Sequence, residues 1–331
     1  MYDLNYLSIQ DKLSSRKNIV ITTHKSPDGD ALGSSLALFF ALYKNHNVNI
    51  IVPNEFPNYL NWMPSSNKIK VYENETANCD LILDKADIIF CLDFNKLYRT
   101  YLMSEKLKLS DAYMIMIDHH EEPDQFCDQI LSNPLISSTA ELVYEFLLNL
   151  NFQINRNIAT CLYTGIITDT GCLKYPNVTN KTHEIIAQLM SLKINHSIIH
   201  QKLFDNQNKS RFDLLKICLN NLQVFHDYNA AVIFLNESDL IKCNYKKGDT
   251  EGFVNIPLSI KNIYFSTFFV EFKDGIKISF RSQGDFDVNL FSKNYFNGGG
   301  HKNAAGGFID DKNIQKVLVY FLDSLKDFSN N

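Results

Sequence analysis

With 331 residues and 45% apolar side chains, the chain is long enough for two domains with hydrophobic cores. A formal net charge of -5 argues against a surface sheathed in positive charge for gripping long duplex nucleic acid, but leaves room for a short anionic substrate held by a few concentrated cations. Seven cysteines with no C-x-x-C pair indicate free thiols in a reducing, cytoplasmic setting, not a disulfide framework or thiolate zinc site. Residues 1–18 lack the apolar core of a signal peptide, and the most apolar helical run, 31–43, is too short to span a bilayer, so no membrane partner is expected.

Residues 18–23 (NIVITT) are β-branched and read as a buried strand. It runs into His24-Lys25-Ser26-Pro27-Asp28-Gly29-Asp30, where Pro27 and Gly29 punctuate a loop and a helix starts near Asp30. Helix capping explains one acid. It does not explain His24, Asp28 and Asp30 converging on one strand end. Gly33, Ser34 and Ser35 are small enough for close helix contact. Residues 48–52 form the next strand, and 54–67, with Trp62, a packing connection. Asp80, Asp84 and Asp87 read as a solvated face. Residues 87–92 (DIIFCL) form a buried strand that delivers Asp93. Arg99 could pair with an acid or touch substrate, and a surface position is preferred for it.

Residues 114–117 (MIMI) run straight into Asp118-His119-His120, an acid and two imidazoles at a strand's carboxyl end, where open α/β sheets bind ligands. Adjacent histidines on extended backbone point to opposite sides, so one joins a shared centre and the other reaches a substrate. The S-x-x-E pattern ending at Glu141 predicts a capping box and a helix over 139–150. A helical run, 158–167, leads into Thr168-Asp169-Thr170-Gly171; the second D-T/S-G that a pepsin-like protease needs is missing. Amphipathic helices follow at 182–190 and 197–204.

The polar stretch 205–208 marks a boundary between domains 1–205 and 206–331. Beyond it come a helix (211–222), a strand (230–235) and a hairpin of 264–272 with 276–280 around Asp274-Gly275. The hairpin delivers Arg281. A short helix (288–295), the run Gly298-Gly299-Gly300-His301-Lys302, an apolar segment (304–309) and a closing helix (313–326) complete the chain.

His24, Asp28, Asp30, Asp93, His119, His120 and Asp169 all fall at element ends. Four carboxylates and three imidazoles exceed one mononuclear site and suit two divalent ions with a bridging aspartate. Without cations the acids would repel and raise one another's pKa. Mixed nitrogen and oxygen ligands favour manganese, with magnesium, zinc or cobalt compatible. Such a pair suits phosphoester hydrolysis, whose transition state is anionic. His120, outside the metal shell, could bind a non-bridging phosphate oxygen. Arg281 can grip phosphate bidentately, the glycine run lets backbone approach an anion, and His301 and Lys302 add donors.

The set H-K-S-P-D-G-D-A-L-G-S at 24–34, L-D at 92–93, D-H-H at 118–120 and T-D-T-G at 168–171 resembles the DHH phosphoesterase superfamily. F-R-S at 280–282 and G-G-G-H-K-N-A-A-G at 298–306 resemble its DHH-associated domain. The resemblance implies an α/β protein of two domains: a mainly parallel sheet with helices on both faces, then a smaller mixed α/β domain, with a cleft between. It implies one ion on His24, Asp28 and a bridging Asp93, and another on Asp30, Asp93, His119 and Asp169. Asp118 would orient the histidine pair, and with Asp93 and His120 make up the catalytic group, His120 touching the scissile phosphate. Arg281, Gly299, Gly300 and His301 would recognise the substrate's terminal phosphate or nucleotide.

The two-domain length is similar to the NrnA-like branch. Short single-stranded RNA (nanoRNA) and mononucleotide bisphosphates such as 3′-phosphoadenosine 5′-phosphate (pAp) are then the expected substrates. Hydrolysis of cyclic or linear dinucleotides (cyclic di-AMP, pApA) is the alternative enzyme reading, and a metal-bridged nucleotide-binding module the non-enzyme one. The resemblance leaves a homodimer open.

Overall fold

The structure, a computed structural model, describes residues 4–330, so the first three residues of the polar amino-terminal stretch lie outside it. The chain divides into two compact units, Met1–Asn206 and Gln207–Asn331. In the first, chain order is α1 (Tyr6–Lys12), β1 (Asn18–Thr22), α2 (Gly29–Leu42), β2 (Asn47–Val52), β3 (Lys70–Val71), α3 (Thr76–Leu83), β4 (Ile88–Leu92), α4 (Ser104–Lys108), β5 (Tyr113–Asp118), β6 (Gln129–Ser132), α5 (Thr139–Asn149), α6 (Arg156–Asp169), α7 (Asn180–Ser191) and α8 (His196–Phe204).

The six strands form one parallel sheet in the order β3-β2-β1-β4-β5-β6. Alternation sorts its side chains: Ile19 and Ile21 join the core shared with α2, α5 and α6, whereas Val20, Ile89, Cys91 and Met116 join the core shared with α3 and α4. Both faces are covered, so β4 is buried throughout and its sequence is continuously apolar. The order reverses between β1 and β4, a switch point of the kind at which open α/β sheets bind ligands, outside the carboxyl ends of the strands.

β6 and the two-residue β3 carry too short a pattern to be read from sequence. One reading changes. Ser138 caps α5 by accepting the Glu141 N–H, but the Glu141 carboxylate turns away to accept hydroxyls from Ser137 (2.6 Å) and Thr182 (3.1 Å), so the reciprocal half of the capping box is absent. Asp84 and Asp87 are exposed, in keeping with a solvated face, and Asp80 is half-buried; each also has a partner, Asp80 accepting the Tyr72 hydroxyl, Asp84 pairing with Lys106 and Asp87 accepting the Asn18 N–H.

The second unit runs α9 (Lys209–Asn220), β7 (Gln223–Phe225), β8 (Ala230–Leu235), α10 (Glu237–Lys242), β9 (Phe265–Phe272), β10 (Gly275–Ser282), α11 (Val288–Tyr295), β11 (Gly299–His301), β12 (Ala304–Ile309) and α12 (Ile314–Asn330). Its sheet, β11-β12-β10-β9-β8-β7, is antiparallel apart from the parallel pair β8–β9. One face packs Phe265, Phe269 and Phe280 against Phe291 of α11 and Phe321 of α12; the other packs Ile233, Phe268 and Val270 against Leu214 and Phe253. Phe272 pairs with Gly275, so the hairpin turn is Lys273-Asp274, one residue earlier than the Asp-Gly signal suggests. The two-domain α/β architecture expected from the sequence is the one found.

Helix α2 is buried on nearly every side, unlike a surface helix, and lies against α6. Gly33 permits that approach: a Cβ there would sit 2.6 Å from the Cys161 carbonyl oxygen and 2.9 Å from the Gly165 nitrogen, both immovable backbone. Gly33→Ala should therefore force the helices apart and cost about 1–3 kcal/mol. Calorimetry should show the first unit's melting temperature falling by roughly 2–12 °C; an unchanged melt would mean the two helices separate freely.

Candidate metal centre and substrate face

The carboxyl end of the parallel sheet holds the chemistry. His24 follows β1; its Nδ1 lies 2.9 Å from the Lys25 carbonyl oxygen, which turns Nε2 toward Asp93 Oδ2 at 3.3 Å. Asp28 caps α2, its Oδ1 accepting the N–H groups of Asp30 and Ala31. Asp30, in the first turn, accepts the N–H groups of Thr139 (2.7 Å) and Ala140 (2.9 Å) at the start of α5, more than a hundred residues away. The positive end of α5 thus faces a carboxylate. Asp93 follows β4 with φ +63°, a left-handed conformation that aspartate tolerates better than most residues. Its N–H donates to the Ile117 carbonyl, and its Oδ1 accepts the Thr139 hydroxyl at 2.9 Å. Asp169 is the last residue of α6.

His119 and His120 do not diverge as expected. β5 ends at Asp118, so strand alternation no longer governs them. Their rings lie 4.9 Å apart, and both face Asp93 Oδ1, His119 Nε2 at 3.7 Å and His120 Nδ1 at 3.9 Å. Their environments differ instead. His119 Nε2 also lies 3.5 Å from Asp169 Oδ2. The fully buried Asp118 accepts both the backbone N–H of His120 (2.9 Å) and its Nδ1–H (2.7 Å).

These residues form two triplets, His24-Asp28-Asp93 and Asp30-His119-Asp169, each with its possible ligand atoms within 4.8 Å of one another. The 3.7 Å contact of His119 with Asp93 links them. A third grouping, Asp93-His119-His120, overlaps both, although Asp118 already engages His120 Nδ1.

The electrostatics fit cations. Burial and repulsion by Asp93 and Asp169 push the Asp30 carboxyl well above the usual carboxylate range. Burial, with Asp28 and Asp93, does the same to Asp169. Burial opposes the ionised form of Asp93 as well, but His24, His120 and His119 together hold it low. Burial pulls the imidazoles of His24 and His119 down, yet the surrounding aspartates overcome it and both end up raised. Charge is in excess here, and divalent cations would neutralise it.

Two residues that the sequence reading did not count in the site stand at it or beside it. Thr139 ties Asp30 to Asp93, and only the S-S-T run before α5 hinted at it. Arg99 is half-buried beside His24, not on the open surface.

In the second unit, register places Ser266, Arg281, Ala304 and His301 in one row across β9, β10, β12 and β11. Arg281 Nη1 donates to the Phe280 carbonyl. Gly299 and Gly300 lie in β11, just after Gly298. Gly300, at φ +157°, donates its N–H to Asn289 Oδ1, and a Cβ there would sit 2.3 Å from the Ala304 carbonyl oxygen; a Cβ at Gly299 would meet nothing closer than 3.6 Å. Lys302 pairs with Asp285 on the surface.

Fold and site together define a phosphoester hydrolase of two-domain α/β architecture. The chain belongs to the DHH family: residues 18–166 match the DHH family N-terminal domain and residues 227–327 the DHHA1 domain. It is 28% identical over 306 residues to the bifunctional oligoribonuclease and PAP phosphatase NrnA of Bacillus subtilis, covering 90% of this chain and 91% of that one. It is 30% identical over 322 residues to an uncharacterized protein of Mycoplasma genitalium, covering 91% and 89%. The crystal structure of an exopolyphosphatase-related protein from Bacteroides fragilis superposes with a TM-score of 0.95 at 41% identity, covering 98% and 96%.

The raised carboxyls of Asp30 and Asp169 disfavour the fold once ionised, and the raised imidazoles of His24 and His119 favour it only while protonated. Both effects give the folded state more protons than the unfolded one, so above about pH 4 stability falls as pH rises. The low carboxyl of Asp93 works the other way, but its contribution is lost only in stronger acid. Chelated protein should melt at a lower temperature at pH 8 than at pH 6, and added manganese should recover more at pH 8. A chelated melting temperature that climbs over this range would contradict the assignment.

Proposed function

We propose that the chain hydrolyses short single-stranded oligoribonucleotides and the phosphomonoester of pAp, using two divalent cations, in the cytoplasm. The observation that carries this reading is the meeting of His24, Asp28, Asp30, Asp93, His119 and Asp169, from distant stretches of chain, as two linked triplets at the switch point of a parallel sheet. The relatives named for oligoribonuclease and PAP phosphatase activity support the substrate class. Free thiols at all seven cysteines accord with a reducing compartment, and no described helix is long and apolar enough to cross a membrane.

His24, Asp28 and Asp93 would hold one cation, and Asp30, Asp93, His119 and Asp169 the other, with Asp93 shared. Manganese suits this mixed donor set best. When bound, such a pair supplies a water acidified toward neutrality and stabilises charge on the attacking and leaving oxygens.

The chain's own groups do the rest. Thr139 and the α5 amino terminus keep Asp30 and Asp93 in fixed orientation. Asp118 fixes the His120 ring through Nδ1. His120 is thereby set to turn Nε2 toward a non-bridging phosphate oxygen. Arg281, His301 and the backbone of Gly299 and Gly300 hold the terminal phosphate or nucleotide. Fixing a chain end in this way restricts the enzyme to short substrates.

An RNA length ladder in manganese, run beside pAp, pApA, cyclic di-AMP and polyphosphate, tests the reading. Turnover should fall steeply with chain length, and equal rates on long and short RNA would defeat it. Preference for cyclic di-AMP over short RNA would favour the dinucleotide alternative. Asp93→Ala should lose manganese binding, and turnover with it. Asp118→Asn should keep the metal but lower turnover about 10–100-fold, and an undiminished rate in this variant would remove His120 from the reaction.

A further inference from the structure

Arg99 is a strong charge beside the metal centre that the hydrolytic scheme leaves unused. It lies in the stretch Leu97–Met103, shortly after Asp93. Its carbonyl accepts the Lys25 N–H at 2.7 Å, which fastens this stretch beside His24. Two residues on, Tyr101 is held at φ 54°, ψ -120°, and Lys25 Nζ lies 3.7 Å over its ring. The segment is therefore pinned at both the strand end and the aromatic ring.

The guanidinium makes no ion pair or hydrogen bond among the described residues, although four carboxylates cluster close by. It still opposes protonation of His24, so its charge is felt at the site. A half-buried guanidinium that neutralises none of its acidic neighbours is a costly arrangement. An arriving phosphate relieves that cost through charge-assisted, bidentate hydrogen bonds. Lys25 is exposed, and it adds a second cation at the rim. The ring of Tyr98 is exposed on the same segment and offers a face for stacking a base.

We propose that Arg99, with Lys25, forms a subsite for an RNA phosphate adjacent to the one being cleaved. This rests on the oligoribonucleotide reading above. In that reading His24, Asp28, Asp30, Asp93, His119 and Asp169 would hold the cations that, with His120, would meet the reacting phosphate, and the terminal phosphate would fall to Arg281 and His301. Arg99 takes a third phosphate, which pApApA possesses and pApA lacks. The subsite thus sets preference among short substrates and plays no part in the bond-breaking step.

Steady-state kinetics on pApA and pApApA in manganese test this with wild type, Arg99→Gln and Arg99→Lys. Wild type should favour the trinucleotide. Arg99→Gln should raise KM for pApApA roughly 10- to 100-fold with kcat within a few-fold, so that the advantage over pApA disappears. Arg99→Lys should restore part of it. The manganese-induced rise in melting temperature should match wild type in both variants. Equal losses on the two substrates, a loss confined to kcat, or an unchanged preference each overturn the subsite. If Arg99→Gln does not fold, Lys25→Gln, altered at an exposed side chain, carries the same comparison. A wild type that cleaves neither substrate removes the oligoribonucleotide reading itself, which is a separate outcome.

Discussion

Mutual repulsion of carboxylates at one end of a parallel sheet is the constraint on which this structure turns. Asp30, Asp93 and Asp169 are brought together with Asp28 in a place largely withdrawn from water, and Asp30 and Asp169 resist ionisation as a result. Such an arrangement survives because the surrounding backbone over-determines it. The amino terminus of α5 donates to Asp30, the Thr139 hydroxyl donates to Asp93, and the Ile117 carbonyl holds Asp93 in its left-handed conformation. Strain of this kind collects where a protein holds ligands ready in advance.

The same constraint explains the packing behind the site. Asp30 belongs to α2, so its position depends on how closely α2 lies against α6, and that closeness requires Gly33 and Gly165. Gly165 also backs directly onto the Asp30 carboxylate: a Cβ there would sit 2.9 Å from Oδ1. Small residues in the helix core and acids at the helix end are thus one design. Glu141, buried behind α5 and bound to Ser137 and Thr182, anchors the loop that presents Thr139. Packing, capping and ligand placement cannot be altered independently.

The histidine pair shows how environment separates two identical side chains. Both rings stand within 4 Å of Asp93. His119 also faces Asp169, while His120 is claimed by Asp118, a carboxylate with no exposure at all. A buried acceptor that fixes ring orientation is what a histidine working on substrate needs, whereas a histidine between two aspartates is placed to share a cation.

Much of this was legible in the sequence. Apolar runs ending in acids or histidines marked β1, β4 and β5 and what they deliver, because strands covered on both faces must be apolar throughout and polar residues can appear only where they stop. The four distant segments were recognisable as one chemical set, since so many carboxylates and imidazoles at element ends have few other uses. Sequence could not decide which way side chains point once regular structure has ended: His119 and His120 were expected to diverge, and do not, because they lie past the last paired residue of β5. Nor could it show that Thr139 joins Asp30 to Asp93 or that the Arg99 side chain stands half-buried without a partner. Those facts depend on contacts between residues tens of positions apart, or more than a hundred, and no local pattern encodes such contacts. Only the folded sheet, by fixing which strand ends are neighbours, brings them together.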